Sequence, residues 1–182
     1  MLAMQVEEGL GIRKGGIVVK EIQLTRGKVA LVDDADYDLV NSYKWFAYKS
    51  YRNTYYACRS VTLNGKKTIV SMHGFLMNTP KGMETDHKDA DGLNNQRNNI
   101  RVCTHAENQH NQCVQARNKS SLFKGVSWMK RQKRWRARIK IDKKFIYLGS
   151  FTDEIDAAQA YDDAANALFG DYAKPNIILG GE

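Results

Sequence analysis

Cysteine is scarce in this sequence of 182 residues, which has only Cys58, Cys103 and Cys113. The three are widely spaced and form no Cys-x-x-Cys pair, so neither a zinc knuckle nor a disulfide framework is expected. Unpaired thiols are typical of a reducing compartment. We therefore expect a cytoplasmic protein whose cysteines are buried or inert.

Long apolar runs are also absent. Mean hydropathy is -0.56, and no run approaches the roughly 20 apolar residues that a membrane helix needs. The first 16 residues lack the apolar core of a secretory signal, so residues 1–20 are interpreted as a loose N-terminal leader. A membrane protein is thereby excluded, whereas a hydrophobic content of 42% allows a packed core.

Acidic residues are outnumbered, because 28 Lys and Arg against 20 Asp and Glu give a net charge of +8. This excess is by itself a weak indication of a nucleic-acid partner. Its distribution says more, since residues 124–144 contain ten Lys or Arg and one Asp. This short segment carries more net positive charge than the whole chain.

The pattern around the basic segment predicts three strands and a helix, at 123–129, 134–141, 145–151 and 153–169. Side chains alternate along a strand, so the middle strand has two different faces. One face can bury against the alanine-rich helix and consists of Trp135, Ala137, Ile139 and Ile141. The other is cationic and consists of Arg134, Arg136, Arg138 and Lys140. Such a sheet can enter a DNA major groove, although the same row could be only a solvated face.

A polar segment, 112–121, separates this unit from the residues before it. Those residues predict a β-rich platform that is either plain scaffold or a source of additional DNA contacts. Its expected elements are a hairpin at 21–32, a helix at 35–43 capped by Asp33 or Asp34, and strands at 44–49, 54–61 and 67–72.

Residues 72–111 contain all four histidines and a dense run of Asp and Asn. They predict a strand at 84–87, a turn at 89–92, a strand at 100–103 and a helix that starts at Thr104 with a capping box. The pattern can bring together Asp86, His87 and Asn108. Asp and Asn oxygens suit Mg²⁺ or Mn²⁺, and a neutral His is a candidate general base.

A calcium loop is the alternative interpretation of the run from Asp89 to Gly92. An EF-hand loop with its glycine at position 92 requires Asp at position 87 and Glu at position 98. Those positions hold His87 and Asn98, so this alternative is rejected.

The arrangement resembles the ββα-metal site of HNH nucleases, in the branch that phage homing endonucleases use, over about residues 20–116. The resemblance implies that Asp86 and Asn108 bind the metal and that His87 activates the attacking water. It implies that Asn99 braces the loop between the strands, and that His73 belongs to a Met-His-Arg segment in which Gly74 replaces the Arg. If the chain is phage-encoded, its compartment is the cytoplasm of the host bacterium.

The basic unit resembles the Apetala/ethylene-response-factor DNA-binding domain. The matching residues include Gly125-Val126, Trp135, the run from Tyr147 to Phe151, Ala157-Ala158 and Asn176. The resemblance implies that Arg134, Arg136, Arg138 and Tyr147 lie on the DNA face and that Trp128 joins them. The predicted DNA-binding set also includes Lys140 and Lys124. Lys124 and Ser127 stand where the plant domains have Arg, so base preference does not transfer.

We therefore expect an α+β protein with three parts. They are a leader at 1–20, a β-rich platform with a ββα-metal HNH unit at 21–116, and a three-stranded antiparallel sheet packed on one helix at 117–182. The expected function is a monomeric, Mg²⁺- or Mn²⁺-dependent homing-type endonuclease that cuts double-stranded DNA without a small-molecule cofactor. The alternative is a catalytically inactive, sequence-specific DNA-binding regulator. An RNA-binding protein is less favoured, because the sequence lacks an RRM-like aromatic signature.

Overall fold

A computed structural model of the chain describes residues 12–14, 17–51, 53–111 and 120–176. The fold is mixed α+β, with small antiparallel sheets and few helices, which confirms the expected class. The chain divides into two compact units, residues 1–104 and 105–182. The predicted boundary at 116/117 and Cys113 lie outside the described residues, so that boundary stays a prediction.

The first unit contains two three-stranded antiparallel sheets and a two-stranded hairpin. The first sheet begins inside the expected leader, because residues 12–14 and 17–20 are paired strand rather than loose chain. The run Ile17-Val18-Val19 explains this difference, since β-branched residues favour strands. The elements are β1 (Ile12–Lys14), β2 (Ile17–Gln23), β3 (Val29–Asp33), α1 (Asp34–Asn41), β4 (Phe46–Lys49), β5 (Tyr55–Leu63), β6 (Lys66–Ser71), α2 (Met72–Leu76), β7 (Glu84–His87) and β8 (Ile100–Cys103).

One hydrophobic core joins the platform to the β7–β8 hairpin. Met72 at the start of α2 is completely buried, and Ile100 at the start of β8 is 2% exposed. Both belong to the cluster that also contains Val32 and Val40 from β3 and α1. The hairpin is therefore fixed by long-range packing, because an isolated two-stranded hairpin is only marginally stable in water.

The loop between β7 and β8 is docked against strand β3. The Leu31 amide donates to the Leu93 carbonyl at 2.9 Å, and the Asn95 amide donates to the Leu31 carbonyl at 2.8 Å. These bonds extend the platform by a short strand-like pairing between Leu31 and Asn94. The backbone of the loop is thus held by the platform.

Two carboxylates at the start of α1 complete this docking. Asp33 precedes the helix but makes no side-chain cap, which differs from the expected capping role. Its oxygens instead accept from the Gln96 side chain at 3.1 Å and from the Arg97 amide at 2.8 Å. The Arg97 guanidinium binds Asp36 through two bonds of 2.7 and 2.8 Å. Such a bidentate pair fixes geometry as well as adding stability.

The second unit is built on a three-stranded antiparallel sheet whose apolar face packs against its long helix. Ala137 and Ile139 of the middle strand are 0% and 1% exposed, and Ala157 and Ala158 of the helix are completely buried. No helix in the described part of the chain is long and apolar enough to cross a membrane. The elements are α3 (His105–His110), β9 (Val126–Met129), β10 (Arg134–Ile141), β11 (Lys144–Phe151) and α4 (Glu154–Phe169), with sheet order β11-β10-β9.

Gly125 lies where the chain enters β9 and is sterically required. Its φ is +77°, and a Cβ there would collide with the Tyr161 ring and the Arg138 carbonyl. The Gly125 carbonyl also accepts from the Arg138 amide at 3.0 Å. Glycine therefore permits a close approach between this turn, the middle strand and α4.

Gly125→Ala should destabilise the second unit more than Gly65→Ala destabilises the first. Gly65 has a closely similar φ of +75° but has open space around it. The control should lose roughly 1–2 kcal/mol for the left-handed backbone. Gly125→Ala should lose about 1–3 kcal/mol more through overpacking. Urea denaturation of both variants tests this, and equal losses would contradict the steric argument.

Candidate active site

The candidate active site is formed around the second half of strand β7. Asp86 and His87 are its last two residues and are 7% and 4% exposed. They pair across the hairpin with Arg101 and Ile100 of β8. Because the chain alternates, the two side chains point to opposite faces of the hairpin.

Three rings lie together around His87. The ring centroids of His73 and His87 are 4.6 Å apart, with planes at 81° to each other. Tyr56 of β5 lies 5.7 Å from His73 and 5.9 Å from His87. The structure therefore brings two of the predicted residues, His73 and His87, into direct contact. Within the described residues, the buried Nδ1 of His73 has no hydrogen-bond partner.

Burial keeps both histidines neutral. It lowers the pKa of His73 to about 3, with a further contribution from the proximity of His87. Burial also lowers the pKa of His87, although the Asn95 side chain and the carboxylates of Asp89, Asp86 and Asp91 oppose the shift. A neutral imidazole near neutral pH can accept a proton, as a general base must.

The loop that follows His87 is closed by its own side chains. The Asn99 amide donates to Asp89 Oδ1 at 2.9 Å and to the Asn94 carbonyl at 2.8 Å, while Asn99 Oδ1 accepts from the Asp89 amide at 3.1 Å. Asp89 Oδ1 also accepts from the Asp91 amide at 2.8 Å. Asn99 thus joins the two ends of the loop.

Gly92 lets this loop approach strand β5. A Cβ at Gly92 would overlap the Tyr55 carbonyl and the Tyr56 ring. Because Tyr56 is one of the rings beside His87, the absence of a side chain at position 92 allows loop and ring to pack together. The Asp-x-Asp-Gly run therefore serves a close backbone contact and not only a turn.

Sequence reasoning missed Arg101 and Asn95. Arg101 donates to Asp86 Oδ2 through Nη2 at 2.8 Å and Nε at 3.2 Å, and both side chains are about nine-tenths buried. Opposite charges at facing positions of a hairpin were the available signal. Asn95 is completely buried and acts on the pKa of His87. The sequence gives no signal for Asn95, because its buried position results from the docking of the loop on β3.

Asp86 and Asn108 are the predicted metal ligands. Within the described residues, no group of three or more His, Cys, Asp or Glu side chains is arranged to hold a metal ion. A pair of one carboxylate and one amide would not form such a group. The hard oxygens of this pair still fit Mg²⁺ or Mn²⁺ chemically. Asn108 lies on α3, in the second unit, so its role stays a prediction.

The cationic face of the second unit is distinct from its apolar face. Arg136 pairs with Ser127 and Ser150, Arg138 pairs with Tyr147, and Lys140 pairs with Phe145, so these side chains share one side of the sheet. The Arg138 guanidinium lies 4.1 Å from the centre of the Phe145 ring. Phe145 and Tyr147 are 58% and 61% exposed. Cations and exposed aromatic rings thus form one continuous surface.

This surface is not flat, because the pairing between β10 and β11 shifts register between Ala137 and Arg138. The extra residue is Leu148 of β11, and the next residue, Gly149, has a φ of +140°. A Cβ at Gly149 would overlap the Phe151 ring. A bulge of this kind bends the strand and increases its twist.

Two residues of the predicted DNA set make contacts within the second unit. Trp128 is the partner of Trp135, with ring centroids 5.0 Å apart, so it lies on the apolar side of the sheet. The Lys124 ammonium donates to the His110 carbonyl at 2.5 Å. The alternation of side chains along β9 could have indicated that Trp128 lies on the apolar face of the sheet. The Lys124 bond could not be predicted in this way, because it depends on the tertiary fold.

Residues 78–110 match the family model of HNH endonucleases. An uncharacterized HNH endonuclease, L560, of Acanthamoeba polyphaga mimivirus is 28% identical over 153 residues, which cover 84% of this chain and 77% of that protein. The protein is a nuclease. The matched segment of this nuclease contains Asp86, His87 and Asn99, the residues around which the hairpin is built.

Two proteins of other kinds are similar to a part of this chain. The AP2-like ethylene-responsive transcription factor TOE2 of Arabidopsis thaliana is 41% identical over 64 residues, 35% of this chain and 13% of that protein. Protein 3.8 of Escherichia phage T7 is 37% identical over 65 residues, 36% of this chain and 53% of that protein. Each covers about a third of the nuclease.

His73→Gln should reduce the pH dependence of stability. The pKa of His73 is about 3 in the folded chain and 6.5 without burial, so the unfolded chain binds the proton more readily. The stability that this difference contributes is complete above pH 6.5 and is lost as the pH falls from 6.5 to about 3. Free energies of unfolding at several pH values should therefore decline less steeply in the variant. Parallel curves would contradict the buried, neutral state of His73.

Proposed function

We propose that the protein is a metal-dependent, homing-type HNH endonuclease that hydrolyses phosphodiester bonds in duplex DNA. The observation that carries the proposal is the environment of His87. Its ring is 4% exposed, is kept neutral by burial and lies next to Asp86 in the chain. A neutral imidazole and a carboxylate in one short strand supply a proton acceptor and a hard oxygen ligand.

His87 has the role of general base in this proposal. It takes the proton from the water that attacks phosphorus, and the edge-to-face contact with His73 keeps its ring oriented. Asn99 holds the loop that follows His87 through its bonds to Asp89 and the Asn94 carbonyl. The Asn95 side chain acts on the pKa of His87 itself. Asp86 and Asn108 would hold Mg²⁺ or Mn²⁺, which when bound stabilises negative charge on the leaving oxygen.

The cationic face is proposed to be the DNA-binding surface of the nuclease. The partial similarity to an AP2-like transcription factor supports this assignment, as does the surface formed by the exposed Arg134, Lys140 and Tyr147 with the half-buried Arg136 and Arg138. Lys and Arg bind phosphates, and Arg also reads base edges. Trp128 is excluded from this surface because it lies beside Trp135.

Although the match to HNH endonucleases supports a nuclease, the sequence left one alternative, a DNA-binding regulator without catalytic activity. Gly74 favours it, because the resemblance implies an Arg at this position. A Cβ atom at position 74 would lie 2.9 Å from Ser71 Oγ. This oxygen accepts a hydrogen bond from the Gly74 amide. Mg²⁺-dependent nicking of plasmid DNA by the purified chain separates the two functions, since the regulator would bind the plasmid and leave it intact.

His87→Ala should abolish nicking and leave DNA binding intact. Loss of a general base costs about 10²–10⁴-fold in rate. His105→Ala is the matched control, because His105 is exposed on α3. The measurements are single-turnover nicking with Mg²⁺ and DNA affinity in EDTA. Nicking by His87→Ala at the wild-type rate would remove His87 from the mechanism.

Lys140→Ala should weaken DNA binding and flatten its salt dependence, whereas Lys144→Ala should not. Both lysines are exposed on the same sheet, but Lys140 pairs with Phe145 on the cationic side and Lys144 pairs with Ile141 on the apolar side. Loss of one phosphate contact reduces the slope of log affinity against log salt by roughly 0.9. Titrations at four salt concentrations give the slopes. Identical slopes for the two variants would mean that the cationic face is not the DNA surface.

A further inference from the structure

The basic residues on the cationic face are held in different ways. Arg134, at one end of the row, is exposed, and its Nη2 donates to the Ser150 carbonyl at 3.0 Å. Lys140, at the other end, is also exposed. Arg136 lies between them, is half-buried and pairs directly with Ser127 of β9. The row thus has exposed ends and a centre that a neighbouring strand can hold.

Ser127 binds the guanidinium of Arg136 by one edge. The Ser127 Oγ accepts from Nη2 of Arg136 at 3.2 Å and from Nε at 3.3 Å. Because the guanidinium is planar, two bonds from neighbouring nitrogens to one oxygen fix the direction of the plane as well as the position of the group. The hydroxyl therefore selects one orientation of Arg136 from the many that an unanchored side chain would sample.

The other edge of this guanidinium has the geometry that reads guanine. The Nη1 and Nη2 nitrogens carry two parallel N–H donors on the edge that lies away from Ser127. Guanine presents two adjacent acceptors, O6 and N7, in the major groove, and an arginine that binds both is the commonest specific contact there. Phosphates also accept from such a fork, but they flank the groove. The central position of Arg136 in the row therefore favours a base edge, whereas the exposed ends favour phosphates.

We propose that Arg136 reads a guanine in the DNA target and that Ser127 is the positioning residue that orients it. Lys140 then contributes affinity without base preference, because a lysine ammonium binds phosphate as a point charge. An anchored guanidinium also loses less conformational freedom on binding, which adds to affinity. This inference rests on the proposed function of the cationic face as the DNA-binding surface.

The experiment selects preferred sites from a randomised duplex library with the full chain in EDTA. Affinities are then measured for the selected duplex and for copies in which each guanine is replaced in turn. The wild-type chain should prefer guanine by about 10-fold or more at the position that Arg136 reads. Arg136→Lys keeps the charge and removes the fork, so it should lose this preference and retain the salt dependence of binding. Lys140→Ala should show the opposite pattern, with a flatter salt dependence and an unchanged preference.

Ser127→Ala is the sharper variant, because it removes the anchor and leaves every basic residue in place. It should weaken the preference for guanine at the same position that Arg136→Lys affects. Ser127→Thr keeps a hydroxyl and should retain the preference. In an Arg136→Lys background, Ser127→Ala should have little further effect, since two residues that act as one unit are not additive. Midpoints of urea unfolding check that each variant is folded.

Three results would overturn the proposal. They are a wild-type chain with no preference for guanine, a wild-type preference in Ser127→Ala, and a loss in Ser127→Ala at a position that Arg136→Lys does not affect. Equal losses in Ser127→Ala and Ser127→Thr would overturn the role of the hydroxyl. Failure of the proposed DNA surface looks different, because Lys140→Ala would then bind DNA with the wild-type affinity and salt dependence.

Discussion

The candidate site depends on the pairing between the β7–β8 loop and strand β3. Two backbone bonds to Leu31 and the bidentate Arg97–Asp36 pair hold the loop at its centre. Asn95 and Asn99 then take up fully or nearly buried positions, and the rings of Tyr56 and His73 close around His87. Without this pairing the hairpin would be two short strands with several buried polar groups, each of which costs free energy unless it is satisfied.

The local elements of the chain could be predicted because their signals are short-range. Alternation identified β10, alanine spacing identified α4, and the Asp-x-Asp-Gly run identified the turn between β7 and β8. Local patterns failed where a side chain had a choice of partner. Asp33 was expected to cap α1, but its oxygens bind residues more than 60 positions away. The Arg101–Asp86 pair likewise depends on the register of the hairpin.

The candidate site was predicted only in part for the same reason. A place for His73 in the site was implied by a family resemblance, but no spacing in the sequence leads to its contact with His87. Asn95 carries no pattern of its own, because one Asn among several in a polar loop becomes distinct only when the fold buries it completely. The helix after β8 was expected to continue the nuclease unit. Its attachment to Phe169 and Lys124 involves residues far along the chain, which periodicity does not detect.

The register shift at Ala137/Arg138 determines the shape of the cationic surface. A straight row of side chains would meet a cylinder of DNA along a tangent and separate from it at both ends. The bulge is in β11 and increases the local twist of the strand pair, so Arg134 and Lys140 on the neighbouring β10 are rotated relative to each other and the row is curved. The curvature of the surface is therefore encoded in a backbone irregularity next to Gly149, and a sheet with the same charges but regular pairing would have a different outline.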